Sequence, residues 1–229
     1  MRAAQLLLLA KAPVPGRVKT RLCPPCTPEQ AALVAAAALT DTLAAGTACA
    51  ARTRVLVVDG VVPAPPRWNT LPQRGDVLGD RLANAFADTR RAGTATVLIG
   101  MDTPQITAAH LDAAFTLLGA AGGPDAVLGT AGEPDAVLGT ASDGGWWALG
   151  LRDPGHAEVL RHIPTSVDTT GARTLAALRA RGLRVAPLPV LCDVDTADDA
   201  RRVAALCPPG GLFATAVTAH VPAPAGASR

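Results

Sequence analysis

Short apolar runs alternate with longer helical patterns along this 229-residue chain, and that alternation constrains the fold more than any other feature. Gln5–Ala10 is an apolar run of strand length. Pro28 to about Ala45 is rich in Ala and Leu and opens with Thr27-Pro28-Glu29. That is a helix N-cap, a proline at the first helical position and an acid in the first turn. Arg54–Asp59 reads as a buried strand, Gly79–Arg91 as an amphipathic helix, Thr96–Gly100 as a strand and Thr107–Leu118 as a helix. Trp146–Leu151 follows as a strand, Thr170–Arg181 as a helix and Leu183–Leu188 as a strand, and Asp195–Asp199 opens a last short helix. This order predicts an α/β fold with a mostly parallel sheet and helices on both faces. Ligands of such sheets bind beyond the carboxyl ends of the strands.

Composition narrows the setting. With 49% hydrophobic and 17% charged residues, the chain can bury a core and is not of the disordered type. A net charge of +2 is too small to imply a nucleic-acid partner, so functional positive charge must be local. Five cysteines without a framework spacing point to a reduced, cytoplasmic setting, and Cys23-Pro24-Pro25-Cys26 lacks the second pair a metal site needs. The apolar patch near the N-terminus is too short for a signal peptide, and no run approaches a membrane span. Residues 1–207 read as a single domain, and the Pro-, Ala- and Gly-rich residues 208–229 as a loose tail.

Four loops after predicted strands carry candidate chemistry. In AKAPVPGRVKTRL, four cations (Lys11, Arg17, Lys19 and Arg21) crowd a segment stiffened by two prolines around Gly16. Clustered cations with exposed backbone N–H groups suit a polyphosphate, although neither GxxxxGK[ST] nor GxGxxG is present. Met101-Asp102-Thr103-Pro104 follows the strand TVLIG, where an acid can hold Mg²⁺ or Mn²⁺ against substrate phosphates. Cys192-Asp193-Val194-Asp195 offers a second metal carboxylate, and Asp195 is equally placed to cap the next helix. Ser142-Asp143-Gly144-Gly145-Trp146-Trp147 places an acid beside two glycines that permit close approach to a ligand, so Asp143 can bind or deprotonate an acceptor hydroxyl. One of the tryptophans, Trp146 foremost, can face that ligand.

Immediately before Asp143 a ten-residue unit is written twice, as GGPDAVLGTA from Gly122 and GEPDAVLGTA from Gly132. The second copy, Pro134–Ala141, is expected to be the strand in the sheet. Asp143 then lies directly at the strand's carboxyl end, and the first copy only lengthens the connection behind it.

Together, AKAPVPGRVKTRL, LIGMDTP, DGGWWALGL and DVDTADD resemble the radical-SAM/selenodomain-associated transferase family, over about Leu6 to Ala205. More distantly, Lys19-Thr20-Arg21-Leu22 is similar to the Lys-Ser-Arg-Leu element of phospholactate guanylyltransferases. The resemblance implies a glycosyltransferase-A-like, Rossmann-like fold. It implies a nucleotide on Lys11, Gly16, Arg17, Lys19 and Arg21, and a divalent metal at Asp102 with Asp195 or Asp193 opposite. It places Gly79, Arg81 and Asn84 near the base or ribose, and Thr103, Gly144, Gly145 and Trp146 among the substrate-binding residues. The sequence departs from the family pattern at Thr165-Ser166, where many relatives have Trp-Ser, and in the doubled unit.

Two metal-dependent reactions fit these residues. In nucleotidyl transfer, a small phosphate or phosphonate acceptor attacks the α-phosphorus of an NTP while Arg17 and Lys19 stabilise developing charge. In glycosyl transfer, a nucleotide-diphospho-sugar donates its sugar to an acceptor hydroxyl. The density of cations favours the triphosphate. A nucleotide-binding module without turnover is the third reading. The expected partners are thus a nucleotide and a small-molecule acceptor, with no nucleic acid and no membrane span, and a homodimer remains open.

Overall fold

A computed structural model describes residues 2–120 and 132–223. Seven strands form one sheet: β1 (Ala3–Lys11), β2 (Thr53–Asp59), β3 (Asn69–Pro72), β4 (Thr94–Gly100), β5 (Ala136–Thr140), β6 (Trp146–Leu151) and β7 (Val185–Pro187), in the spatial order β3-β2-β1-β4-β6-β5-β7. Parallel pairs join β1 to β2 and β4, β2 to β3, and β5 to β7, while β6 runs antiparallel to β4 and β5. The exception follows from chain length. Only Ala141–Gly145 lies between β5 and β6, enough for a hairpin turn and too short for a crossover.

The strand at the centre shows why the apolar runs are continuous. Leu6, Leu7 and Leu8 of β1 are all fully buried. Leu6 and Leu8 pack on one face with Leu39, Phe115 and Trp147, and Leu7 on the other with Phe86 and Leu160. A strand covered on both faces has no polar side to alternate with. Helices α1 (Pro28–Ala48) and α3 (Ala108–Leu117) contribute to the first face, α2 (Leu78–Asp88) and α4 (Thr170–Ala180) to the second. Helix α5 (Ala197–Ala204) follows β7. Its N-cap is Thr196, whose hydroxyl accepts from the Asp199 N–H, so Asp195 is not the cap. The five cysteines are free.

Three expectations need correction. β3 was hidden because it is a short, largely exposed edge strand ending in Pro72, which the edge position tolerates. Residues 208–229 do not read as a loose tail throughout: Leu212–His220 form α6, which buries Phe213 and Val217 against Val34 and Ala38 of α1. Its composition concealed it because no local side chain caps it. The Asp41 carboxylate on α1 accepts from the N–H groups of Leu212 and Phe213 at 3.1 and 2.8 Å, and so caps the helix from 171 residues away. Third, α1 is long and apolar enough, by length and composition, to cross a membrane. In this fold Ala31, Val34, Ala35 and Ala38 lie buried between the sheet and α6.

The in-sheet copy of the doubled unit is the second: β5 comprises Ala136–Thr140, and Asp143 follows its turn directly. The first copy, residues 122–131, lies outside the described residues. Gly139 in β5 makes room for an indole. A Cβ there would stand 2.4 Å from the Trp147 ring, whose Nε1–H donates to the Pro189 carbonyl at 2.9 Å.

Candidate functional site

The carboxyl ends of β1, β2 and β4 open into one cavity of about 820 Å³. β1 lies between strands whose connections leave in opposite directions, β2 and β3 to one side and β4 to the other. That is the crevice where open α/β sheets bind ligands.

The loop after β1 forms one wall. Val14-Pro15-Gly16-Arg17 makes a turn, with the Arg17 N–H donating to the Val14 carbonyl at 3.0 Å and Gly16 at a positive φ of 75°. Gly16 itself is exposed and shapes the loop, whereas Lys11, Arg17, Lys19 and Arg21 line the cavity. Lys19 has φ of 49°, a left-handed conformation unusual for a residue with a Cβ, and it costs on the order of 1 kcal/mol or more. Its ammonium holds it there. Nζ is ion-paired to Asp102 and donates to the Val194 carbonyl, and the side chain is only 7% exposed. Arg21 pairs with Asp195 at 3.1 Å. Lys11 and Arg17 make no ion pair among the described residues.

Asp102 ends the turn after β4, and its carbonyl accepts from the Val194 N–H at 2.9 Å, which brings the 192–195 segment alongside. Asp193 is mostly buried, with its Oδ1 accepting from the Thr103 hydroxyl at 2.7 Å. Burial pushes its carboxyl up to about 6. The charges of Asp102 and Asp143 add to the rise, and the Thr103 hydroxyl and Lys19 oppose it. Among the described residues no three His, Cys, Asp or Glu side chains form a ready metal cage. Arg21 engages Asp195 and Lys19 engages Asp102. Of the three predicted metal ligands only Asp193 therefore makes no ion pair among the described residues, with the half-exposed Asp102 carboxylate close enough to raise its pKa. Two carboxylates whose mutual repulsion is incompletely neutralised suit a Mg²⁺ ion that takes its remaining oxygens from substrate phosphates and water.

The opposite wall is built by the β5–β6 turn and the loop before α4. The Gly145 N–H donates to Asp143 Oδ1 at 2.8 Å, which fixes the carboxylate at the rim. Gly145 and Trp146 line the cavity and Trp147 lies beneath as core. Gly144 does not contact the cavity. Its φ is 89°, and a Cβ there would stand 1.8 Å from the Asp168 carbonyl oxygen. The glycine was anticipated as a place for a ligand to approach; the approach is that of the neighbouring loop.

At the far end, Asp59 of β2, Gln73 and Arg81 of α2 form a hydrogen-bonded group. Arg81 donates to Asp59 at 3.0 Å and to Gln73 Oε1 at 3.3 Å, while Gln73 Nε2 donates to the Ala10 carbonyl at 2.7 Å. Arg81 therefore lines the cavity as anticipated by position. Gly79 and Asn84 do not. A Cβ on Gly79 would press on the Leu160 carbonyl at 2.6 Å, so this glycine serves helix packing. Asn84 is 4% exposed, and its amide donates to the Arg74 carbonyl and accepts from Arg161, both at 2.7 Å. Sequence reasoning missed Asp59, Gln73, Asp76 and Asp168, which line the cavity. Asp59 was readable as the acid at a strand's end; the others lie in loops whose course only the fold determines.

The fold is shared with solved structures described as nucleotide-diphospho-sugar transferase and cytidylyltransferase. The chain is 24% identical to a protein described as a nucleotide-diphospho-sugar transferase from Desulfovibrio desulfuricans G20, with a TM-score of 0.78 over 96% of this chain and 98% of that one. It also matches CMP:2-keto-3-deoxy-manno-octonic acid synthetase complexed with CTP (12% identity, TM-score 0.53, 89% and 98% covered). A cytidylyltransferase from Leptospira borgpetersenii serovar Hardjo-bovis matches at 12% identity, with TM-score 0.51 and 88% and 84% covered. At these identities the likeness establishes the fold. No curated protein sequence matches the chain. The chain belongs to the DUF2064 family, described as an uncharacterized protein conserved in bacteria, whose pattern matches residues 30–167.

Proposed function

We propose that the protein is a transferase using an activated nucleotide, with the donor phosphates on the loop after β1 and the acceptor against the β5–β6 turn. The observation that carries this reading is a single cavity, large enough for a nucleotide and an acceptor, with a basic loop on one wall and Asp143 on the other. Transfer of a sugar from a nucleotide-diphospho-sugar is the favoured reaction. The dense cations pointed to a triphosphate, but Lys19 and Arg21 are already matched by Asp102 and Asp195. Lys11 and Arg17 are left to meet a ligand, which suits a diphosphate.

Arg17 and Lys11 bind the donor phosphates and stabilise the diphosphate as it leaves. Asp143, fixed by the Gly145 N–H, accepts the proton of the attacking hydroxyl. Asp193, together with an Asp102 shared with Lys19, would hold a divalent metal, Mg²⁺ or Mn²⁺, whose contribution would be to neutralise the phosphates and orient them. Nucleotidyl transfer from an NTP is the second reading, supported by the fold shared with a synthetase that binds CTP.

The test is a thermal-shift panel of NTPs, nucleoside diphosphates and nucleotide-sugars, with and without Mg²⁺, followed by product analysis. Release of nucleoside diphosphate from a nucleotide-sugar supports sugar transfer, and pyrophosphate release from an NTP supports the second reading. A melting curve unmoved by every member of the panel overturns the nucleotide assignment.

A further inference from the structure

The cations of the cavity are confined to one side, where Asp59, Asp76 and Asp102 accompany them, and that confinement bears on the acceptor. They all come from Lys11, Arg17, Lys19, Arg21 and Arg81. The wall contributed by residues 143–195 carries Asp143, Asp168, Asp193 and Asp195 and not one Lys, Arg or His. Asp195 meets Arg21, and Asp193 feels Lys19 across the boundary. Among the described residues, Asp143 and Asp168 make no ion pair.

Asp168 is held at that wall by backbone, not by accident of a loose loop. The Gly171 N–H donates to the Gly144 carbonyl at 2.8 Å, and a Cβ on Gly171 would stand 2.6 Å from the Gly145 carbonyl oxygen. The Gly144 face is just as closely packed on Asp168. The Thr170 hydroxyl bonds the carbonyls of Pro164 and Val167 at 3.0 and 2.8 Å. Two glycine-to-backbone contacts and this brace lock the 164–171 loop to the Asp143 turn. The same wall presents Thr165, Ser166 and the half-buried Trp146.

We infer that Asp168 is a specificity residue that, with Asp143, rejects anionic acceptors and admits an uncharged polyhydroxyl compound. A phosphate or carboxylate there would face two unneutralised carboxylates, and like charges brought together count heavily against a partner. A neutral polyol instead donates hydroxyls to those carboxylates and to Thr165 and Ser166, and lays its C–H face on Trp146. An ammonium group would also satisfy the carboxylates, and preferential binding of an amino sugar is therefore one outcome of the test. This inference rests on the donor–acceptor reading above and replaces the phosphate or phosphonate acceptor expected from the sequence.

The test uses the full chain. Binding of UDP, GDP, CDP and ADP with Mg²⁺ is measured first by thermal shift, and its failure removes the nucleotide reading by itself. Saturation-transfer NMR then compares glucose with glucose 6-phosphate, glycerol with glycerol 3-phosphate, and glucosamine, with and without the bound nucleotide. The neutral member of each pair should bind, with the phosphorylated one weaker by about tenfold or more at low salt. Asp168→Asn should narrow that gap, and Asp168→Lys should reverse it. The side chain is exposed, so both variants should melt near the parent temperature. Preferred binding of a phosphorylated compound or of glucosamine, binding of none of them, or an unchanged gap in Asp168→Lys overturns the inference.

Discussion

Asp193→Asn should stabilise the metal-free protein at neutral pH while impairing its use of a metal. The carboxyl titrates at about 6 in place of its ordinary 3.8, chiefly because burial penalises the charge. Ionising it in the fold therefore costs about 3 kcal/mol, at 1.36 kcal/mol for each pH unit. The sign follows from proton binding. The folded state holds this proton more tightly than the unfolded chain. The penalty is thus absent below about pH 3.8, grows between pH 3.8 and 6, and is complete above that. An Asn removes the charge, and its amide oxygen can still accept from the Thr103 hydroxyl, which otherwise lies buried at 1% exposure. For a chain of this size about 3 kcal/mol corresponds to roughly 6–12 °C in melting temperature, as an upper bound. The assay is calorimetry of both proteins in EDTA at pH 4, 5 and 7.5. The variant should melt higher at pH 7.5, by less at pH 5, and level with the parent at pH 4. Adding Mg²⁺ and a nucleotide should close or invert the gap, because only the parent gains full ligand-linked stability. A variant that melts at or below the parent in EDTA at pH 7.5, or a gap that persists at pH 4, would refute the assignment of an electrostatically penalised acid.

Asp102→Asn should abolish the Mg²⁺ dependence of any nucleotide-induced thermal shift while leaving the fold intact by circular dichroism, and an unaltered metal response would place the metal elsewhere. Gly144→Ala requires a Cβ 1.8 Å from the Asp168 oxygen at a φ of 89°, so it should cost about 2–4 kcal/mol and weaken acceptor binding; denaturant titration checks this. Phe213→Ala should destabilise by about 3–5 kcal/mol, since the ring is fully buried against α1 and α5, and a loss below about 1 kcal/mol would mean that α6 is not part of the core. Deleting Gly122–Ala131 should preserve stability and nucleotide response, because the Glu133 side chain reaches Gly119, where a Cβ would stand 3.0 Å from its carboxylate, so the residues flanking the deletion lie close enough for the shortened connection to close; a lowered melting temperature or a lost nucleotide shift would show that the first copy is structural.

What the sequence made legible was whatever depends on near neighbours. The continuous run Leu6–Leu9 and the Thr27-Pro28-Glu29 start signal their elements because burial on both faces and helix capping leave local marks. The loops after β1 and β4 could be placed at the cavity for the same reason: charge density and a strand's end are read along the chain. Apart from β3, whose shortness and exposure hid it, the errors are non-local. Asp41 caps α6 from a distant helix, so composition reported a tail. Asn84 sits in the middle of α2, in a segment that resembles a ligand contact, yet Arg161 and the Arg74 carbonyl consume its amide. The cation cluster was counted as free charge, although Asp102 and Asp195, 83 and 174 residues away from their partners, neutralise half of it. Charge counted along a chain is thus an upper limit on charge offered to a ligand. Among the cavity-lining residues, what remains without an ion pair is Lys11, Arg17 and Asp76 on the donor side and Asp143, Asp168 and Asp193 on the other, and that residue of unpaired charge, not the total, is what a donor diphosphate and a neutral acceptor would have to match.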